Sequence, residues 1–224
     1  MSSSLFVAGT DTGIGKTHAA CTLIHALRAT GQSVCGMKPV ASGCIETVDG
    51  LRNEDALALQ AASAPSPVYD DINPVALREP LSPHLAAAHA GVTIALPPLH
   101  AAYQKLRTRY DTVVVEGVGG WRVPLAPGLL ASALPKAWDL PVVLVVGLRL
   151  GCLNHAMLST EAILADDCRL VGWIGNCIDP AMAAIEENIA TLRASLPAPC
   201  LGILPHGLPP ERASHLLDLA PLRF

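Results

Sequence analysis

A glycine-rich stretch between two apolar segments constrains the fold of this chain more than any other feature. Residues 9–17 read G-T-D-T-G-I-G-K-T, a short apolar run precedes them, and apolar residues at helical spacing follow. A strand, a glycine-rich turn and a helix in this order predict a phosphate loop, because glycines let the backbone wrap an anion and helix-start N–H groups point towards it. In this phosphate loop, Lys16 would contact the β- and γ-phosphates of a nucleotide, and the Thr17 hydroxyl could ligate magnesium.

The bulk composition suits a buried parallel sheet. The 224 residues are 51% hydrophobic and 15% charged, as expected for a sheet covered by helices on both faces. The net charge of -4 gives no sign of a nucleic-acid or membrane-surface partner. No internal repeat or linker interrupts the sequence, so we expect residues 1–224 to form a single domain.

The cysteines and the longest apolar run bear on the location of the protein. The seven cysteines are odd in number and include no C-x-x-C pair, which favours free thiols over disulfides or a zinc site. The first residues, M-S-S-S, lack the basic region of a signal peptide. The longest apolar run, residues 140–148, is too short to cross a bilayer. We therefore expect a cytoplasmic protein without membrane contact.

Strand and helix patterns alternate along the chain, which indicates parallel strands joined by crossover helices. Apolar runs predict strands at residues 5–8, 33–37, 111–116, 141–147, 170–175 and 200–204. Helical spacing predicts helices at residues 18–28, 53–60, 85–89, 97–109, 155–165, 181–196 and 211–219. Loops are expected at residues 44–53 and in the proline-rich stretch 64–83. The predicted fold class is α/β, a mostly parallel sheet with helices on both faces, like that of P-loop NTPases.

Three polar residues fall at the carboxyl ends of predicted strands, the edge at which open parallel sheets bind ligands. Lys38 follows the second strand, because Pro39 disfavours a helix there; a surface lysine is the alternative. Glu116 ends the third strand before a glycine-rich turn, and this arrangement resembles the Walker B acid that meets magnesium or its water. Asn176 follows the fifth strand and could pair with the donor and acceptor of a base.

Two further positions have alternative interpretations. Asp55 falls in the first turn of a predicted helix, where an acid complements the helix dipole, although it could also ligate magnesium. Residues 150–154 open another helix. A helix start with small residues can hold an anion with its free N–H groups, or it can be an ordinary cap.

Several blocks together resemble the dethiobiotin synthetase family. Besides the phosphate loop they are M-K-P-V-A-S-G at 37–43, L-R-N-E-D-A-L at 51–57, V-E-G-V-G-G-W at 115–121, L-G-C-L-N-H-A-M-L at 150–158, G-W-I-G-N at 172–176 and L-P at 204–205. They follow the order of the family over residues 5–207, nearly the whole chain. The K-P-V-A-S-G and L-G-C-x-N-H blocks are the specific ones.

The resemblance implies a single P-loop ATP-dependent ligase domain acting in biotin synthesis. The family uses ATP, Mg²⁺, carbon dioxide and 7,8-diaminononanoate, and gives dethiobiotin, ADP and phosphate. A substrate amine takes up carbon dioxide as a carbamate, whose oxygen attacks the γ-phosphate to form a carbamic–phosphoric anhydride. The second amine then closes the ring. The family also implies a homodimer, in which one subunit completes the substrate site of the other.

The resemblance assigns roles to particular residues. Lys16 would stabilise the transferring phosphoryl group, Lys38 would hold the carbamate, and Thr12 would lie beside the reacting amines. The implied magnesium ligands are Thr17, Asp55 and Glu116, which reverses the preference for a dipole-complementing acid at Asp55. The residues implied for the substrate are Ser42 and, in the partner's site, Gly151, Cys152, Leu153 and Asn154.

The resemblance also implies a binding site for ATP that extends from the phosphate loop to an adenine pocket. Its residues are Gly13, Ile14, Gly15, Lys16, Thr17, His18, Asp55, Glu116, Gly117, Val118, Gly119, Asn176, Cys177, Pro205, His206, Gly207 and Glu211. Glu211 is the candidate for an acidic contact that relatives carry shortly after Pro205. Two places depart from the family: Asn188 stands where some relatives have a tyrosine, and residues 128–133 lack the Thr and Asp that many relatives show.

Two other classes of protein compete with this interpretation. Switch ATPases of the MinD type carry a K-G-G-x-G-K-T loop, but Asp11 replaces the lysine that reaches across their dimer, and the sequence shows no basic amphipathic tail for a membrane. Amidating cobyrinate synthases carry a glutaminase domain, for which 224 residues leave no room.

Overall fold

The computed structural model describes residues 3–222, which form twelve strands and nine α-helices together with two short 3₁₀ helices at Ser214–Leu216 and Ala220–Leu222. In chain order the strands and α-helices are β1 (Ser3–Gly9), α1 (Lys16–Arg28), β2 (Val34–Met37), β3 (Val40–Ala41), β4 (Ile45–Thr47), β5 (Gly50–Arg52), α2 (Glu54–Ala62), α3 (Tyr69–Ile72), β6 (Val75–Ala76), α4 (Pro83–Ala90), α5 (Leu96–Arg107), β7 (Thr112–Glu116), β8 (Pro124–Ala126), β9 (Leu129–Leu130), α6 (Ala133–Trp138), β10 (Val142–Leu148), α7 (Cys152–Ala165), β11 (Leu170–Cys177), α8 (Ile185–Ser195), β12 (Cys200–Leu204) and α9 (Pro210–Ala213).

Six of the strands form one parallel sheet in the order β12-β11-β10-β1-β7-β2. These are the six strands that the apolar runs predict, so the predicted α/β fold with a parallel sheet is confirmed. Because all six run in the same direction, their carboxyl ends meet at one edge of the sheet. The phosphate loop, Lys38 and Pro205 follow those ends, and Glu116 is the last residue of β7. Asn176, predicted to follow the fifth strand, instead lies within it, because β11 extends to Cys177.

Helices cover both faces of this sheet, since side chains alternate along each strand. Phe6 and Ala8 of β1 pack into a core shared with α4, α5, α6, α7 and α8. Leu5 and Val7 of the same strand pack into a second core, shared with α1, α2 and α9. Burial on both faces explains why the central strands read as continuous apolar runs.

The free edge of β2 is covered by the segment that follows α2. The N–H groups of alternate residues point away from β7 along this edge, and each has a partner. Val34 donates to the carbonyl of Ala64 at 3.1 Å, Gly36 to Oγ of Ser63 at 2.9 Å, and Lys38 to the carbonyl of Ile72 at 2.7 Å. Residues 63–72 therefore take the place of a seventh strand.

Several predicted helix and loop boundaries are wrong. The helix predicted from residue 181 begins at Ile185, because Ala181 N–H is bonded to Oδ1 of Asp179 and Ala184 adopts a left-handed φ of 53°. The helix predicted over residues 211–219 ends by Leu216, because Asp218 N–H donates to the carbonyl of Leu201 at 2.7 Å and draws the backbone to β12.

Structure also appears where loops were predicted. The stretch 44–53 contains the β4–β5 hairpin, and the stretch 64–83 contains α3 and β6, which pairs with β3. The stretch 128–133, for which the sequence offers no account, contains β9 of a second hairpin and leads into α6. None of the helices in the described residues combines the length and apolarity needed to cross a membrane.

Candidate active site

Two adjoining cavities lie at the carboxyl edge of the sheet. The first cavity, of about 380 Å³, is lined by Thr12, Gly13, Gly15, Lys16, Thr17, Lys38, Ala41, Ser42, Asn53, Asp55, Glu116, Val118 and Gly119. The second cavity, of about 410 Å³, is lined by Gly13, His18, Asn176, Cys177, Ile178, Pro205, His206, Gly207, Leu208 and Pro209. Both touch Gly13, so they form one surface that runs across the phosphate loop.

The turn of the phosphate loop depends on a glycine at position 15. Gly15 precedes α1 with a φ of 79°, and a Cβ atom there would lie 2.0 Å from Nδ2 of Asn176. Nδ2 of Asn176 donates to the carbonyl of Ile14 at 2.9 Å, which fixes this side chain against the loop. Asn176 therefore holds the phosphate loop through one N–H of its side-chain amide.

Asp11 holds the other side of the phosphate loop. Its Oδ1 accepts from Thr12 N–H at 2.8 Å, and its backbone carbonyl accepts from Nζ of Lys16 at 2.7 Å. Its Oδ2 lies 2.7 Å from the guanidinium of Arg149, which follows β10. The acid that distinguishes this loop from the MinD pattern thus links it to the segment leading into α7.

At the centre of the first cavity Lys38 lies between two carboxylates. Its Nζ is 2.5 Å from Oε1 of Glu116, 2.9 Å from Oδ2 of Asp55 and 3.2 Å from the carbonyl of Gly117. Oε1 of Glu116 also accepts from the hydroxyl of Thr17 at 2.9 Å. Lys38 and Glu116 are 3% and 1% exposed, so their charges are held in a medium of low polarity, where each stabilises the other.

The pKa values of this cluster follow from burial and charge. Burial alone would lower the pKa of Lys38, but the carboxylates of Glu116 and Asp55 outweigh it and raise the pKa above its ordinary value. Burial would raise the pKa of Asp55, yet Lys38 holds that pKa below its usual range. Burial, with the neighbouring Asp55, raises the pKa of Glu116 against the opposing effect of Lys38. Burial, reinforced by the charge of Lys38, lowers the pKa of Lys16 to about 8.

The oxygen atoms around Lys38 suit a magnesium ion. Thr17, Asp55 and Glu116 offer a hydroxyl and two carboxylates, the hard oxygen ligands that Mg²⁺ takes alongside substrate phosphates. Oε2 of Glu116 is buried without a hydrogen-bond partner. An unpaired buried carboxylate oxygen is costly, and a cation would satisfy it. Within residues 3–222, no cluster of three or more His, Cys, Asp or Glu side chains forms a metal site.

The glycine-rich turn after β7 is anchored from outside the cavity. Val118 and Gly119 line the first cavity, and Trp121 follows them in the chain. Nε1 of Trp121 donates to Oδ2 of Asp166 at 2.8 Å, and a guanidinium nitrogen of Arg122 lies 2.7 Å from the same oxygen. The end of α7 thereby fixes the turn.

The structure brings most of the candidate residues to the two cavities, with a few exceptions. Ile14 is buried in the core beneath the loop and lines neither cavity. Gly117 reaches the site through its carbonyl. Glu211 lies on α9 beside His25, at 3.6 Å, and does not line the second cavity. Gly151, Cys152, Leu153 and Asn154 begin α7 and line neither cavity.

Sequence reasoning missed several lining residues. Ala41 and Asn53 line the first cavity, and Ile178, Leu208 and Pro209 line the second. For Asn53 a signal was present, because Asn before two acids at a helix start is typical of an N-cap, and its Oδ1 accepts from Asp55 N–H at 3.1 Å. Asn188, whose role the sequence left open, donates to the carbonyl of Ala184 within its own helix and lines neither cavity.

The fold and this site define a P-loop nucleotide-binding protein. A family model described as an AAA domain matches residues 3–211. Among solved structures, the chain is similar to the septum site-determining protein MinD complexed with Mg-ADP from Pyrococcus horikoshii OT3, with a TM-score of 0.59 and 15% identity over 96% of this chain and 93% of that one. It is also similar to the MinC:MinD cell division complex of Aquifex aeolicus, with a TM-score of 0.54, 16% identity and coverage of 91% and 81%. At these identities the likeness establishes the fold alone.

Closer relatives define the family. The chain is 61% identical over 208 residues to the ATP-dependent dethiobiotin synthetase BioD of Xylella fastidiosa (strain 9a5c), covering 93% of this chain and 92% of that protein. It is 56% identical over 202 residues to the ATP-dependent dethiobiotin synthetase BioD of Xanthomonas oryzae pv. oryzae (strain PXO99A), covering 90% of each. The chain therefore belongs to the dethiobiotin synthetase family.

Proposed function

We propose that this protein closes the ureido ring of dethiobiotin from 7,8-diaminononanoate, carbon dioxide and ATP. Its family makes it an ATP-dependent ligase of biotin biosynthesis. The observation that carries the proposal is the meeting of two buried lysines at the first cavity, Lys16 from the phosphate loop and Lys38 from the end of β2. Bringing a carbamate to a γ-phosphate places two anions together, and fixed positive charge between them lowers the barrier.

The reaction has three steps. A substrate amine adds to carbon dioxide and loses a proton, which gives the carbamate. A carbamate oxygen then attacks the γ-phosphorus, the bond to the bridging oxygen of ADP breaks, and a carbamic–phosphoric anhydride forms. The second amine attacks its carbonyl carbon, phosphate leaves with the bonding electrons, and the amine proton is released. Such a sequence depends more on position and charge than on covalent help from the protein.

Four side chains of the first cavity have proposed roles in these steps. Lys16 stabilises the phosphoryl group in transfer, and its position at the start of α1 adds the N–H groups of the helix. Lys38 holds the carbamate oxygen in line with the γ-phosphorus. Thr12, at the rim of the same cavity, lies beside the reacting amines, and Ser42 contacts the substrate.

We propose that Thr17, Asp55 and Glu116 hold a magnesium ion. Their oxygen atoms and the unpaired Oε2 of Glu116 support this role. When bound, Mg²⁺ neutralises charge on the β- and γ-phosphates. The same carboxylates hold Nζ of Lys38 and raise its pKa above its ordinary value.

The second cavity is proposed to bind the adenine end of ATP. Asn176 and the turn at Pro205, His206 and Gly207 line it, and Gly13 joins it to the phosphate loop. Nδ1 of His206 lies 3.1 Å from the carbonyl of Cys177, which holds the turn against the end of β11. An adenine ring between these elements would direct the triphosphate across Gly13 towards Lys16.

We further propose that the active enzyme is a homodimer in which the start of α7 binds the substrate carboxylate in the partner. Gly151 begins the helix with a φ of 97°, outside both cavities of its own subunit. Leu150, which precedes α7, and Leu158, within α7, are 93% and 56% exposed. Large exposed apolar side chains on this part of the chain support burial against a second copy.

The proposal extends to the organisation and location of the chain. We propose that residues 1–224 form one ligase domain, because the family match covers residues 3–211 and the six-stranded sheet spans them. We propose a cytoplasmic location, because the substrate ATP is found there and the seven cysteines are free thiols in the described residues.

The test is phosphate release from ATP with magnesium and bicarbonate, with and without 7,8-diaminononanoate, followed together with product by mass spectrometry. We expect release that depends on the diamine and matches dethiobiotin formation. A monoamine of the same length serves as control, because it forms a carbamate but cannot close a ring. Slow phosphate release at the same rate with and without the diamine would contradict the proposal and favour a switch ATPase.

A further inference from the structure

A buried hydrogen-bond network lies behind the first cavity. Its members are Asn53, Tyr69 and Asn73, each no more than 6% exposed, and we call it the Tyr69 network. The Tyr69 hydroxyl accepts from Asn53 N–H at 2.7 Å and donates to Oδ1 of Asn73 at 3.0 Å. The guanidinium of Arg52 lies 4.2 Å from the centre of the Tyr69 ring and covers its face. A fully paired buried network of this kind makes its surroundings rigid.

The Tyr69 network ends on the backbone of three residues that line the first cavity. Nδ2 of Asn73 donates to the carbonyl of Lys38 at 2.7 Å. Oδ1 of Asn53 accepts from Asp55 N–H at 3.1 Å, and Nδ2 of Asn53 donates to the carbonyl of Ser42 at 3.4 Å. The network thus joins the end of β2, the segment after β3 and the start of α2.

These segments need such a connection, because the sheet does not supply it. The pairing of β2 with β7 ends at Met37 and Val115, so Lys38 lies one residue beyond the last ladder position. Instead, Ile72 and Asn73 hold the backbone of Lys38 on both sides. The N–H of Lys38 donates to Ile72, and its carbonyl accepts from Asn73.

We propose that Tyr69 and Asn73 are positioning residues for ring closure. Through the backbone of Lys38 and the start of α2 they set where Nζ of Lys38 stands between Asp55 and Glu116. The inference rests on the function proposed for Lys38. The phosphate loop is built on β1 and α1, and no hydrogen bond within residues 3–222 joins it directly to Tyr69 or Asn73, so we expect loss of either side chain to affect ring closure more than the contacts of the loop with ATP.

The test compares Tyr69→Phe with Tyr110→Phe in the full-length enzyme. Tyr110 is also buried, and its hydroxyl donates to the carbonyl of Pro65 at 2.9 Å, so both variants lose one buried hydroxyl. We expect Tyr69→Phe to lower kcat for dethiobiotin formation by about 10- to 100-fold, as changes behind ligand side chains do. We expect kcat of Tyr110→Phe to stay within about twofold of the wild type, and the Kd for ATP to stay within about twofold in both variants.

The Tm of each variant shows whether a lower kcat comes from misplaced side chains or from a loss of folded protein. Asn73→Ala is the second variant, because it removes the bond to the carbonyl of Lys38 and leaves the Tyr69 ring in place; it should repeat the kcat loss with ATP binding retained. Normal kcat in either network variant, or a parallel loss of ATP affinity and kcat, would overturn the inference. Wild-type enzyme without diamine-dependent turnover would refute the proposed function as well, whereas active wild type beside an active Tyr69→Phe would refute the inference alone.

Discussion

Nζ of Lys38 and Oε1 of Glu116 lie 2.5 Å apart, which joins the end of the edge strand β2 to the end of its neighbour β7. The pair is buried, and Asp55 supplies a second carboxylate to the same ammonium group. A buried ion pair with further hydrogen bonds is costly to break from one side, because the remaining charge then has no partner. The positive charge of Lys38 is therefore fixed before any substrate arrives.

Replacing Lys38 should separate nucleotide binding from ring closure. We expect Lys38→Ala to lower dethiobiotin formation by about 10²- to 10³-fold, as loss of one oxyanion-stabilising group does. The Kd for ATP, measured by calorimetry, should change little, because the phosphate loop keeps Lys16. Lys136→Ala is the matched control, since Lys136 is an exposed residue of α6 that lines neither cavity. Near-normal turnover of Lys38→Ala would show that its proposed role is wrong.

Neutralising Asp55 should raise the magnesium requirement. Asp55→Asn removes one proposed ligand charge, and we expect the magnesium concentration for half-maximal activity to rise by about tenfold or more. Glu54→Gln is a close control, because Glu54 is exposed in the same first turn of α2 and its loss weakens the helix dipole interaction equally. If activity depends on magnesium concentration in the same way in the two variants, Asp55 acts only as an acid that complements the helix dipole.

The pKa of Lys16 predicts a pH dependence of ATP binding. Burial lowers this pKa to about 8 in the free protein, and bound phosphates would raise it again. Affinity for ATP should therefore be greatest below that value and should fall as the pH rises through it, because binding must then take up a proton. Each pH unit above the free pKa costs up to about tenfold in affinity until the bound pKa is reached.

Calorimetry between about pH 7 and pH 9, in buffers of different ionisation enthalpy, measures this proton uptake. Lys16→Gln is the control, and it should bind ATP weakly with no such uptake. If the wild type binds ATP equally well at the lowest and highest pH of this range, the pKa of Lys16 is not lowered as stated.

A methyl group at Gly15 should disrupt the phosphate loop. The added Cβ atom would lie 2.0 Å from Nδ2 of Asn176, which is itself bonded to Ile14, so we expect Gly15→Ala to abolish measurable ATP binding. Gly128→Ala is the control, because Gly128 has a similar φ of 73° but open space around it. That variant should lose about 1 kcal/mol of unfolding free energy, the cost of the left-handed backbone, and keep ATP binding. Equal ATP affinity in the two variants would show that the contact with Asn176 does not matter.

The sheet and the centre of the site could be predicted because local pattern and topology agree there. Six apolar runs gave six parallel strands, and parallel strands bring their carboxyl ends to one edge. Glu116 is the last residue of its strand, and Lys38 and the phosphate loop follow theirs directly. Correct strand assignments were therefore enough to predict that these residues meet. Their roles as ATP, magnesium and substrate ligands remain predictions.

The remaining parts depend on contacts that no local pattern encodes. Tyr69 and Asn73 lie in a proline-rich stretch without periodicity, and only the folded chain brings them behind Lys38. The helix predicted over residues 211–219 ends early because Asp218 N–H donates to the carbonyl of Leu201 in β12. In this second case a tertiary hydrogen bond overrides the preference of the local sequence.

The covered edge of β2 links catalysis to solubility. An uncovered edge strand of apolar residues is a template for pairing with another chain, and aggregation begins at such edges. Here the N–H groups of Val34, Gly36 and Lys38 are taken up by residues 63–72, the segment that also carries Tyr69. A mutation that loosens residues 63–72, and so shifts Lys38, would also expose the edge of β2. With the role proposed for Tyr69, the position of Lys38 and the cover of this edge would both depend on the same ten residues, 63–72.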